Sequence, residues 1–433
     1  MSVQAIGLIG MAALLILIFA RVPVAISMGI VGIFGYAAIS GFDKAFVVLG
    51  STPFEMGSAY ALSVVPLFVL MGALASSAGI SGQLFNSVHA LFAGRRGGQA
   101  FATLGAGAVF GAVCGSSLAV AAAMSRIALP EMRKAGYDDK LTTGVIAAGG
   151  TLGILIPPSI ILVIYAIIAE QSVQKLFAAA LVPSVLLTLF YGFVLAWLVK
   201  RHAEYAPPSP RQPWHTKLWA LASMWEIILI FGVSIGGIYI GWFSPTESAA
   251  VGSFGALLLG VLRRKLSWAD IQKSFVETIL ISSMLFLVIL CAFIFSYFIV
   301  LTELPHTLVE WTRSLNASPV TIMFILIVFY LILGCFLDGI GMVLITVPVF
   351  FPLVVEAGFD PVWFGVVLVL VVELGLIHPP VGMNIFVIRA QAPEIPLSVI
   401  YLGVLPFLVA PLALLVLMVT MPQLALWFPG LLY

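Results

Sequence analysis

The segment LGILIPPS, residues 152–159, sets two consecutive prolines inside a run apolar enough to cross a bilayer. LGLIHPPV, residues 374–381, repeats the Leu-Gly and Pro-Pro pairs at the same spacing, 222 positions further on. Proline has no amide hydrogen and its ring clashes with the preceding turn, so each pair breaks a helix and releases backbone carbonyls. An orphaned carbonyl in hydrocarbon costs several kcal/mol, so both breaks must be buried in protein or meet water or an ion. One such break is open to a bland reading as a structural kink. Two matched breaks point to a built site.

Hydrocarbon is the right reference medium here. With 62% hydrophobic and 9% charged residues and a mean hydropathy of +1.20, the chain has too little polar surface for a soluble globule. Windows of about 20 residues give spans near 4–20, 23–40, 60–80, 176–199, 219–241, 246–262, 278–302 and 398–425. The first span lacks a preceding basic region and is expected to be retained rather than cleaved. Cys114, Cys291 and Cys335 all sit in apolar runs and read as packing residues. No basic stripe with interleaved aromatics points to nucleic acid.

Two blocks, 99–169 and 319–391, align without a gap at the 222-residue offset. Pro130 falls on Pro352, the run Ala135–Asp138 on Ala357–Asp360, and Thr151 on Glu373. LFVLMGA at 67 and LFLVILCA at 285 extend the echo upstream. The chain therefore reads as two copies, 1–199 and 218–433, joined by a charged, proline-rich linker at 200–217. Bases surround the first AG[YF]D segment at Arg133, Lys134 and Lys140, whereas VVEAGFDPV in the second copy has none. Lysine and arginine favour the cytoplasmic side, so the copies are expected to be inverted.

Within each copy, 99–130 and 319–352 are long enough to enter the membrane and return. Each is interrupted by small or polar residues, Gly115-Ser116-Ser117 in the first and Asp338-Gly339 in the second. They read as re-entrant hairpins, and the segments 141–169 and 363–391 as Pro-Pro-broken helices. Broken helices paired by inverted symmetry are how many secondary transporters hold cations and anionic substrates. Asp338, the one acid at either tip, is the leading ion ligand. Glu373 would either coordinate an ion or stabilise its half-helix, Arg126 would either meet a substrate carboxylate or snorkel to the inner surface, and His378 would either titrate or contribute its backbone alone. Asn384 is a second substrate candidate. Glu247 reads as a helix-capping acid.

AAGGTLGILIPPSI, GSSLAVAAAMSRIALPEMRKAGYD, FSPTESAA, GLIHPPVGMNIFV and PVAISMGIVG together resemble signature segments of the large membrane subunit of TRAP transporters, the DctM family. They fall in order along nearly the whole chain, with Arg126 and His378 departing from the usual residues. The resemblance implies an all-α polytopic inner-membrane permease of the elevator-type ion transporter superfamily. It would import organic anions such as C4-dicarboxylates, sugar acids or sialic acid, driven by sodium. It implies two partners, a small four-helix DctQ-type membrane subunit and a periplasmic DctP-type binding protein. It also implies two sodium sites, one from Ser116, Ser117, Gly153, Ile156 and Pro158, the other from Asp338, Gly375, His378 and Pro380.

Two other classes compete. A self-sufficient sodium- or proton-coupled anion symporter would share the repeat and the breaks but need no binding protein. An intramembrane enzyme would need a catalytic constellation such as HExxH, and no such motif occurs in the sequence.

Overall fold

A computed structural model describes residues 2–208 and 212–433; part of the expected linker, 209–211, lies outside the described residues. The described chain is helical, with seven helices long and apolar enough to cross a membrane, or eight if the bent pair Trp214–Ser223 and Trp225–Ile240 counts as one span. Large apolar side chains stay exposed along their outer faces, among them Phe193 (75%) and Phe34 (60%). Exposed Trp214, Trp225, Trp242 and Trp268 sit at helix ends, where amphipathic indole rings favour the membrane–water interface.

The two blocks adopt matching secondary structure. The first hairpin pairs Gly98–Cys114 with Ser117–Lys134; the second pairs Pro319–Gly334 with Gly339–Glu356. The broken helices are Asp139–Leu155 with Ile160–Ile168, and Pro361–Ile377 with Met383–Gln391. Asp138 and Asp360 both cap the next helix, accepting from the amides of Lys140 at 2.7 Å and Val362 at 2.8 Å. Gly136 and Gly358, at φ 84° each, make the turn before them. The Pro157–Pro158 and Pro379–Pro380 bonds are cis.

Three boundaries differ from the sequence reading. The second arms of the hairpins run past Pro130 and Pro352 to Lys134 and Glu356. Proline removes one backbone hydrogen bond but does not end a helix whose flanks are held by packing. Trp214 already begins a helix, so the irregular linker is shorter than 200–217. The span expected at 278–302 starts at Trp268, capped by Ser267 and Asp270 in a capping box.

The hairpins and broken helices pack into one unit. Trp268–Leu301 belongs to a second, lying along Val24–Ser40 and Val64–Ser77, the latter flanked by Pro245–Leu262. Glu247 caps that last helix with Ser244, its Oε2 accepting from the Ser244 amide at 2.8 Å.

Candidate functional site

Close backbone contact sets each hairpin against its break. A Cβ built on Gly111 would lie 2.5 Å from the Cα of Gly153, and one on Gly375 would lie 2.9 Å from the Cα of Gly334. Only glycine permits these crossings, and the same device occurs in both copies. At the first tip, a Cβ on Gly115 would lie 2.9 Å from the carbonyl oxygen of Pro158, and one on Gly153 would lie 3.3 Å from that of Ser116. The tip thus rests directly on the break.

The first helix arm ends at Leu155, and Ile156 follows in an extended conformation (φ −72°, ψ 122°). Among the described residues, the carbonyls from Gly153 to Pro158 accept no hydrogen bond from backbone or side chain. Ser116, the N-cap of the second arm, accepts weakly from the Ala119 amide at 3.4 Å. Ser117 is buried and exchanges hydrogen bonds with Asn384, at 2.9 and 2.6 Å. Asn384 therefore ties the second copy to the first tip and does not line the cavity described below.

The second copy repeats this arrangement with different chemistry. His378 is extended like Ile156 (φ −81°, ψ 131°), and the carbonyls from Leu374 to His378 are likewise unbonded among the described residues. Further along, Tyr401 donates to Pro380 and, at 3.3 Å, to Val381. The His378 ring stands 3.7 Å from Cys335 Sγ. Asp338 is the N-cap of the tip, with Oδ2 accepting from the Gly341 amide at 3.2 Å. Glu373 is fully buried, and among the described residues neither carboxyl oxygen has a hydrogen-bond partner. Its counterpart Thr151 bonds Tyr191 at 3.0 Å.

Both tips open onto one cavity of about 440 Å³, lined by Ser116, Ser117, Asp338 and Gly339. Arg126, itself exposed, also lines it. Glu277, which the sequence reading passed over, completes the charged lining from Trp268–Leu301. A charged residue inside a long apolar helix was the available signal. Among the described residues no cluster of histidine, cysteine and acids could hold a transition metal.

A polytopic helical membrane protein with a cavity between paired helix breaks has the architecture of a membrane transport protein. Residues 11–424 match the family "Tripartite ATP-independent periplasmic transporter, DctM component", and the chain belongs to that family. It is a multi-pass protein of the bacterial inner membrane. It is 35% identical to a C4-dicarboxylate TRAP transporter large permease protein of Pseudomonas aeruginosa, covering 87% of this chain and 88% of that one. It is 34% identical to an ectoine/5-hydroxyectoine large permease protein of Ruegeria pomeroyi, covering 84% and 85%. The crystal structure of the YdaH transporter of Alcanivorax borkumensis shares the fold, with a TM-score of 0.64, 15% identity and 90% coverage of both chains.

Proposed function

We propose that this chain is the large permease subunit of a sodium-coupled secondary transporter that imports small organic acids, working with a small membrane subunit and a periplasmic binding protein. The observation that carries the reading is the meeting of tip and break in both copies. Unbonded carbonyls need a partner in a low-dielectric interior, and a cation stripped of water needs several oxygens. The first site would combine the hydroxyls of Ser116 and Ser117 with the carbonyls of Gly153, Ile156 and Pro158. The second would combine the Asp338 carboxylate with the unbonded carbonyls of Gly375 and His378 and with that of Pro380, which also accepts from Tyr401. Arg126, at the cavity wall, would take a substrate carboxylate.

Two contacts support inverted copies and re-entrant hairpins. Arg133, at the end of the first hairpin, pairs with Glu394, just past the second broken helix. Tyr165, near the end of the first broken helix, donates to the Pro361 carbonyl at the start of the second, at 2.6 Å. Each brings the start of one copy's broken helix to the end of the other's. The cavity lies between the hairpin unit and Trp268–Leu301, which suits an elevator motion of one against the other. The relatives, named for C4-dicarboxylates and for ectoines, support organic acids as the substrate class.

Uptake into proteoliposomes tests the reading. Accumulation is expected only with a sodium gradient, the small subunit and the cognate binding protein together. Sodium-driven uptake by this chain alone would establish the self-sufficient symporter instead, and uptake on a proton gradient without sodium would remove the cation assignment.

A further inference from the structure

Two helical stripes face each other across the cavity. The first hairpin contributes Ala119, Ala122 and Arg126, and Trp268–Leu301 contributes Glu277, Ile281 and Met284. Spacings of three and four residues put each set on one face of its helix. Each stripe is apolar up to a single charge, and both charges lie toward the ends that adjoin basic segments, Arg133-Lys134 and Arg263–Lys265.

Neither charge is satisfied within the protein. Arg126 Nε donates to the Ala122 carbonyl at 3.4 Å, and among the described residues no ion pair involves Arg126 or Glu277. Both residues are exposed yet line the same cavity, so each is open to an incoming ligand, and charges placed within a membrane protein in this way mark a ligand or a pathway. Asp338, the other acid of the cavity, is turned to its own tip through the Gly341 amide. Glu277 has no such commitment.

We infer that the cavity takes a small zwitterion, with its carboxylate on Arg126 and its cationic nitrogen on Glu277, and that Glu277 is the residue that rejects dianions. The inference rests on the organic-acid permease reading given above. A dicarboxylate would bring its second carboxylate against Glu277, and like-charge apposition is an effective means of exclusion. A monocarboxylate without a cation would leave Glu277 unpaired. A zwitterion satisfies both ends of the cavity.

Calorimetric titration of the purified permease, with its small subunit and in saturating sodium, decides the matter using three probes built on the same carbon chain: succinate, butyrate and 4-aminobutyrate. The zwitterion 4-aminobutyrate is expected to bind about tenfold tighter than butyrate, with succinate weakest. Glu277→Gln should bring 4-aminobutyrate and butyrate within about twofold of each other and strengthen succinate, while Glu277→Asp, which keeps the charge, should retain the original order. Succinate binding at least as tightly as 4-aminobutyrate, with the order unchanged in Glu277→Gln, would overturn this inference and leave the permease reading standing. Binding of none of the three to any of these proteins would overturn both.

Discussion

Asp338 and Ser116 hold equivalent places, each the N-cap of a hairpin's second arm, yet one brings a full negative charge and the other a neutral hydroxyl. At an effective dielectric of about 20 and a separation of a few Å, a unit charge interacts with a monovalent cation by a few kcal/mol. Asp338→Asn keeps the shape and removes the charge, so it should weaken sodium activation of transport at least about tenfold. Ser116→Ala removes one neutral ligand and should raise the sodium requirement only a few-fold, about 1 kcal/mol. Sodium titration of uptake rates reads both, and an Asp338→Asn variant with unchanged sodium dependence would exclude the carboxylate as a ligand. Both residues were legible from the sequence, because polar tips in apolar hairpins and a matched register need no tertiary information. The Ser117–Asn384 bond, the reach of Tyr401 to Pro380 and the place of Glu277 in the cavity were not. Each is a meeting between different elements, and although Glu277 stands out as a charge in an apolar helix, no local pattern encodes what it meets.

Among the elements, the broken helices hold the unbonded carbonyls on which the proposed ion sites depend. Asp139–Leu155 and Ile160–Ile168 are separated by a break in which Pro157 and Pro158 supply no amide to the preceding carbonyls. Replacing both with alanine returns two donors and lets the helix run on, so the carbonyls of Gly153 and Ile154 would bond within the chain. Pro157→Ala/Pro158→Ala should therefore fold and reach the membrane with thermal stability equal to or above that of the parent, while sodium-driven uptake falls at least about a hundredfold, the loss of roughly 3 kcal/mol of ion binding. Retained uptake with a normal sodium requirement would show that the first break is only a kink. Hydropathy located these elements but misplaced some of their ends. The long helix beginning at Trp268 carries Asp270, Lys273 and Glu277 in its first turns, which depress any apolar window. Pro130 and Pro352 looked like terminators only because the packing that holds their flanks is tertiary.

For the whole molecule, the register of the two copies is the organising fact. Helices Ser117–Lys134 and Gly339–Glu356, and Asp139–Leu155 and Pro361–Ile377, begin and end at residues 222 apart. Basic residues mark the first copy's turn and not the second's. Cysteines introduced at Lys134 and Glu356 should thus be labelled by an impermeant reagent from the cytoplasmic and periplasmic sides respectively, and labelling of both from one side would refute the inversion. The matching helix boundaries were readable from sequence because they are written in spacing, and the expected orientation rests on charge. The shared cavity was not, because it arises only when the two copies close on each other.

Equilibrium binding of radioactive sodium to the purified permease, in parallel with its Asp338→Asn variant, tests most directly whether two tip-and-break pairs form two ion sites. Saturation is expected at about two ions per chain in the parent and about one in the variant, with the remaining site unchanged in affinity. A parent that binds no sodium, or a variant that binds as the parent does, would contradict it.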